Sequence, residues 1–196
     1  LLEHKLQTGM CCAGIEKVCE NGETQAIANF ELGNTDRYVS AEEFAAYNLR
    51  NHVPIGTIGS ILKGSALKEV GGFRRELKWH ADWFVLYAIG FRHGLCYIPD
   101  VLTRFQIHSD QYSAGLRNRA KQRKVLDSTI SILKTTQFSD VLPHFKYSRA
   151  MEIFDVQGYE LLFSGLKHWN YTSLALIWRP NISCFVKAHR IICTKL

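Results

Sequence analysis

No apolar run in this 196-residue chain approaches the ~20 residues needed to cross a bilayer. That excludes an ordinary membrane-spanning helix. Leu1-Leu2-Glu3-His4-Lys5 has neither a basic leader nor a long apolar segment, so no secretory signal is expected there. The six cysteines stand at 11, 12, 19, 96, 184 and 193 without a C-x-x-C pair, which excludes zinc-ribbon spacing. Reduced, buried thiols are the expectation, with a disulfide framework as the alternative. A P-loop, a G-x-G-x-x-G turn, an H-E-x-x-H helix and a G-x-S-x-G elbow are all missing. The chain therefore has no local signature of a phosphate cradle, a dinucleotide turn, a zinc protease or a serine hydrolase. Internal repeats and low-complexity segments are absent too.

What is present argues for a globular protein. Apolar residues make up 46% and aromatics 12%, and the length suits one or two domains. Charge is unevenly spread. Residues 1–100 hold 10 Lys and Arg against 12 Asp and Glu, and residues 101–196 hold 14 against 6. The basic half suggests an anionic partner, or else a solvated helical face. Arg117, Arg119, Lys121, Arg123 and Lys124 would form one basic stretch, and Lys187, Arg190 and Lys195 another. Peripheral contact with an anionic membrane is the expectation. Nucleic acid is not expected, because neither interleaved aromatics nor a recognition helix accompanies these charges.

Strands are expected at 5–13 and 24–32, joined through Glu20-Asn21-Gly22-Glu23, where Asn-Gly is a strong hairpin signal. Ser40-Ala41-Glu42-Glu43 reads as a capping box opening a helix over 41–51. A strand at 60–63 and a helix near 65–70 lead to Gly71-Gly72, where a glycine can adopt the left-handed C-cap conformation. Residues 82–93 are apolar almost all round, from Trp83 to Phe91, as in a buried helix. Two short strands, 95–98 and 101–107, are expected on either side of Pro99-Asp100. The text then turns helical: 117–135, 139–142, 143–165 and two more helices over 169–196. The boundary is placed so that 1–114 is a mixed α/β part and 115–196 an all-α tail.

Asp82, at the mouth of the apolar helix, is the leading candidate for chemistry. An ionisable group beside an apolar wall, with polar groups nearby, suits transfer of a sugar to a hydroxyl. The helix terminus favours its charged form and the apolar neighbours oppose it. The plainer reading is an N-cap aspartate. Trp79 and His80 precede it, and a tryptophan near a carboxylate commonly stacks on a sugar face; a packed entry tryptophan is the alternative. His108, Asp110 and Arg104 share a second polar neighbourhood. For His108 the plainer reading is a loop histidine bonded to a backbone carbonyl.

The segment from Gly59 to Ser113 resembles the acceptor-side half of inverting glycosyltransferase family 2, which has the GT-A fold. Ala66–Phe73 (A-L-K-E-V-G-G-F) matches the end of the family's G-x-x-x-x-R-x-x-x-x-x-V-G-G-F. Ala81-Asp82 stands where E-D opens the E-D-x-x-L helix. Gly94–Leu102 (G-L-C-Y-I-P-D-V-L) and Phe105–His108 (F-Q-I-H) match G-x-x-x-x-I-P-x-x-L-x-x-Y-R-x-H. Upstream, residues 9–24 are similar to the family's mid-fold strand and its D-x-x-G turn. Ala81 replaces the family's Glu, and Gln106 its Arg, with Arg104 nearby.

The resemblance implies a partial GT-A-type, Rossmann-like mixed α/β sheet that lacks the N-terminal nucleotide-binding unit, followed by the helical tail. It makes Asp82 the base. It also implies a nucleotide-sugar donor, a glycan or lipid-linked acceptor in cell-surface polysaccharide synthesis, and a divalent cation, Mn2+ or Mg2+, with His108 as a ligand or diphosphate contact. Trp79, His80, Arg104 and Asp110 would bind substrate. The family's D-x-D motif is absent, since the aspartates at 36, 82, 100, 110, 127, 140 and 155 never fall two apart. The donor-binding half is therefore expected upstream of this chain. A cytoplasmic place at the inner face of the membrane follows. The rival reading is a non-catalytic glycan-binding or assembly module.

Overall fold

A computed structural model describes residues 8–28, 32–51, 55–106, 119–148, 150, 151 and 154. The chain falls into two compact units, Leu1–Ala150 and Met151–Leu196. Nearly all of the second lies outside the described residues, as do the helices expected beyond 147. The expected division at 114/115 falls within residues 107–118, also outside them. The helices described after it belong to the first unit.

That unit is a mixed α/β structure. Five strands form one sheet: β1 (Met10–Val18), β2 (Thr24–Ala28), β3 (Arg37–Val39), β4 (Ser60–Leu62) and β5 (Leu95–Gln106). The order is β2-β1-β5-β3, and β4 also pairs with β1. β1 and β5 run parallel, and every other pairing is antiparallel. One edge of β1 is shared: β4 pairs with Met10–Cys12, and β2 with Ile15–Val18.

β1 corrects the strand expected at 5–13. It extends to Val18 and runs directly into the Asn21-Gly22 turn. Gly22 takes φ +84°, and Cys19 and Glu23 close the turn through the Cys19 N–H (2.9 Å). Met10 through Ile15 are all buried, so no polar alternation marks the strand there. Only beyond it do half-buried Glu16 and Lys17 appear. β5 corrects a second expectation, because one strand passes through Pro99-Asp100. Ile98 and Val101 pair with successive β1 residues, Ala13 and Gly14, so Pro99 and Asp100 form a bulge. A bulge tolerates a residue that has no N–H to give the ladder.

Helix α1 (Ala41–Arg50) begins at Ser40, whose Oγ accepts from the Glu43 N–H at 3.1 Å. The Glu43 carboxylate pairs with Arg37 on β3, tying the helix entry to the sheet. Helix α2 (Gly64–Glu69) ends at Gly71 and Gly72, with φ +80° and +67°. Gly72 N–H returns to the Leu67 carbonyl at 2.9 Å. Helix α3 (Ala81–His93) is the core element. Every residue from Trp83 to Phe91 is buried. Phe44 of α1 lies 5.6 Å from Tyr87 and 5.1 Å from Phe91, ring to ring. At Gly90 a Cβ would meet Phe44 at 2.7 Å and Met10 at 2.9 Å, so glycine lets α1 and β1 close on the helix.

Helix α4 (Arg119–Leu133) buries Gln122, Val125, Leu126, Thr129, Ile130 and Leu133, one stripe at helical spacing. After a 3-10 turn at Thr136–Phe138 comes helix α5 (Leu142–Tyr147). Phe138 and Phe145 complete an aromatic cluster on α3. Phe145 stacks on Phe84 at 5.9 Å and meets Phe91 edge-on at 5.0 Å. Among the described residues no helix is long and apolar enough to cross a membrane.

Candidate active site

The chain reaches α3 through a 3-10 segment, Arg75–His80, that is kinked at Lys78 (φ 51°, ψ −124°). Lys78 is the one non-glycine residue with positive φ among the described residues. A side-chain-bearing residue in such a region is strained by about 1–3 kcal/mol, and neighbours must hold it there. The kink turns the chain so that Trp79 is half-buried and His80 is 1% exposed.

Both side chains end on one atom. The Gln122 Oε1 of α4 accepts from Trp79 Nε1 at 3.3 Å and lies 2.9 Å from His80 Nε2. An indole N–H can only donate, so the amide presents its oxygen here. His80 must then place a proton on Nε2, and in the neutral ring Nδ1 is the acceptor. The His80 ring stands edge-on to Trp79 (6.3 Å) and to Trp83 (6.0 Å). Burial holds its pKa below the ordinary imidazole value, against the opposing pull of Gln122 and of the Asp82 charge.

Asp82 is half-buried in the first turn of α3. It is not the N-cap. That position is His80, which makes no capping side-chain bond. One carboxylate oxygen accepts from the Trp83 N–H at 2.7 Å, and among the described residues the group makes no ion pair. A carboxylate held in the first turn of a helix and partly open can accept a proton from a hydroxyl brought against it.

Trp79, His80 and Asp82 thus lie together. Arg104 is engaged elsewhere: its Nε donates to Glu16 across the β1–β5 ladder at 2.8 Å, and its side chain is 70% exposed. Glu16 also accepts from Thr24 at 2.5 Å, and the Thr24 and Arg104 bonds hold its carboxyl below the usual range. His108 and Asp110 lie outside the described residues. Among the described residues no group of three His, Cys, Asp or Glu could hold a metal ion. The described residues do not themselves make the divalent-cation site that the resemblance implies.

Sequence reasoning missed Gln122 and the kink at Lys78. Gln122 stands one turn before Val125 and Leu126 on the buried stripe of α4, and that placement was the available signal. Nothing in the sequence marks Lys78. No family model, no curated protein and no solved structure matches the chain.

Proposed function

We propose that the chain carries the acceptor-side part of an inverting, GT-A-type sugar-transfer site. The sugar moves from a nucleotide-sugar to a hydroxyl of a glycan or lipid-linked acceptor, in the synthesis of a cell-surface polysaccharide. The observation that carries this reading is Asp82. It is a half-buried carboxylate at the start of the core helix, between Trp79 and Trp83, and no cation neutralises it among the described residues. The order strand β4, helix α2, Gly71-Gly72, helix α3, strand β5 sets Asp82 between the glycine turn and the parallel strand β5.

In this mechanism Asp82 takes the proton of the acceptor hydroxyl. The freed oxygen electron pair attacks the anomeric carbon from the face opposite the leaving group. The bond from that carbon to the nucleoside diphosphate breaks, the diphosphate leaves with the electron pair, and configuration inverts. Trp79 offers an apolar face beside the base for the sugar ring. A divalent cation would supply charge neutralisation at the diphosphate. No step is assigned to it, because its ligands are not among the described residues. Lys121 and Lys124 of α4 are exposed, and in this reading they would meet an anionic membrane surface.

The test is nucleoside diphosphate release from a panel of uridine, guanosine and thymidine diphosphate sugars. It is run with and without Mn2+ or Mg2+, in the full-length protein that contains this chain. Asp82→Asn keeps the shape of the side chain and removes the base. Turnover is expected to fall by roughly 10²-fold or more, with donor binding nearly unchanged. Equal turnover by Asp82→Asn would remove the base assignment. Glycan binding without turnover by either protein would favour a recognition module instead.

A further inference from the structure

Gln122 and Thr129, buried polar side chains of α4, behave differently. Thr129 Oγ1 donates to the Val125 carbonyl at 2.8 Å, one turn back in its own helix. Gln122 reaches out of its helix to two consecutive residues, 43 and 42 positions earlier in the chain. An amide oxygen has two lone pairs, and here two N–H donors meet it.

We infer that Gln122 is a positioning residue: its amide oxygen clasps Trp79 and His80 together, holds the turn strained at Lys78, and so sets the first turn of α3 on which Asp82 stands. Three observations converge. The backbone at Lys78 needs outside support (φ 51°, ψ −124°). Helix α3 has no capping side chain to fix where it begins, and its N-cap is the His80 that Gln122 holds. His80 stands edge-on to both Trp79 and Trp83, so a shift of its ring bears on the Trp83 side chain, and the backbone N–H of that same residue bonds Asp82. Helix α4 is therefore part of the site. The consequence for catalysis rests on Asp82 being the base; the consequence for geometry does not.

The experiment is solution NMR on the 196-residue chain, with Gln122→Met, which keeps the length and removes the acceptor, and Gln122→Glu, which keeps the acceptor. In Gln122→Met the Trp79 indole and His80 imidazole N–H protons are expected to exchange about tenfold faster, as for loss of one ordinary hydrogen bond. The Asp82 carboxyl carbon shift and the Trp83 amide shift are expected to move, while Phe84 and Phe91 signals stay in place. Gln122→Glu should restore slow exchange and the Asp82 shift, and should raise the His80 pKa. An unmoved Asp82 shift in folded Gln122→Met would overturn the proposal. If Gln122→Met does not fold, Gln122→Glu decides alone, and an unraised His80 pKa would overturn it. None of these readouts uses turnover. An active Asp82→Asn would therefore defeat the proposed base and leave the clasp standing. An Asp82 shift indifferent to Gln122, beside an inactive Asp82→Asn, would defeat the clasp alone.

Discussion

At its C-terminal end, α3 is tied down by charge. Arg92 donates to both oxygens of Asp140 at 2.6 and 2.8 Å and to the Gln137 carbonyl at 2.6 Å, and it pairs with Glu69 at 3.3 Å. Its guanidinium also lies 5.7 Å from the Phe138 ring centre. His93 meets the other oxygen of Glu69 at 2.9 Å. At its N-terminal end, the same helix starts from a strained backbone, has no capping side chain, and shows a carboxylate bonded to the next residue's N–H. The C-terminal end joins α2, α3 and the 136–140 turn with almost every charge matched. The N-terminal end leaves charge unmatched and stores strain, which an end built only for stability would not do.

Between the two ends lies the aromatic body, and breaking it should have the largest effect. Phe84 is fully buried, edge-on to Phe138 at 5.2 Å and stacked on Phe145 at 5.9 Å. Phe84→Ala is expected to cost about 3–5 kcal/mol, read by urea denaturation. If both ends depend on one rigid helix, turnover and stability should fall together.

Arg92→Met comes next and separates the ends. The Arg92 side chain is only 11% exposed, and its loss leaves Asp140 and Glu69 without their shared cation. About 1.5–3 kcal/mol of stability should go, with the His80–Gln122 signals unmoved. Asp82→Asn should do the reverse, lowering turnover with the urea midpoint nearly unchanged. A variant at either end that moved both quantities alike would dissolve the contrast.

The C-terminal side of this contrast was more legible in the sequence than the N-terminal side. Gly71-Gly72 and the continuous apolar text of α3 each have a local physical cause, and each stands where it was expected. The hairpin turn and the Ser40 cap were legible for the same reason. β3 was not, because three residues, Arg37–Val39, give no periodicity to read. β5 was split at Pro99 because a bulge depends on the partner strand, and the partner is 85 residues away. Asp82 was found through its neighbours in sequence. Gln122 acts at a separation of 42 residues, and the Lys78 kink is imposed by tertiary contacts, so neither leaves a local mark.

Acidification sharpens the comparison by acting on the N-terminal end. His80 is buried and its pKa is lowered, chiefly by desolvation. In the unfolded chain an imidazole titrates near about 6.5. Between that value and the lower folded one, the unfolded state binds more protons, so folding stability rises with pH there. His80's contribution is fully present above about pH 6.5. It is lost as pH falls and levels off below the folded pKa. Urea midpoints from pH 7.5 to 5 should decline in the wild type and decline less in His80→Gln. An identical slope in both would place the titrating group elsewhere.

The smallest expected effect is at Lys78, and it tests whether the N-terminal end stores strain at all. Lys78 is exposed, so its side chain has little packing to lose. Glycine adopts φ 51°, ψ −124° without the clash that a Cβ causes, which relieves about 1–3 kcal/mol. Against that, glycine gains about 0.5–1 kcal/mol of backbone freedom in the unfolded chain. Lys78→Gly should therefore stabilise the protein by about 1 kcal/mol. The relief should also weaken the need for the clasp. In a double-mutant cycle, Gln122→Met should cost less in the Lys78→Gly background than in the wild type. If Lys78→Gly instead destabilises the chain, and the two substitutions simply add, then the backbone at 78 stores nothing. The Gln122 bonds would then support a relaxed turn, and the two ends of α3 would differ in charge alone.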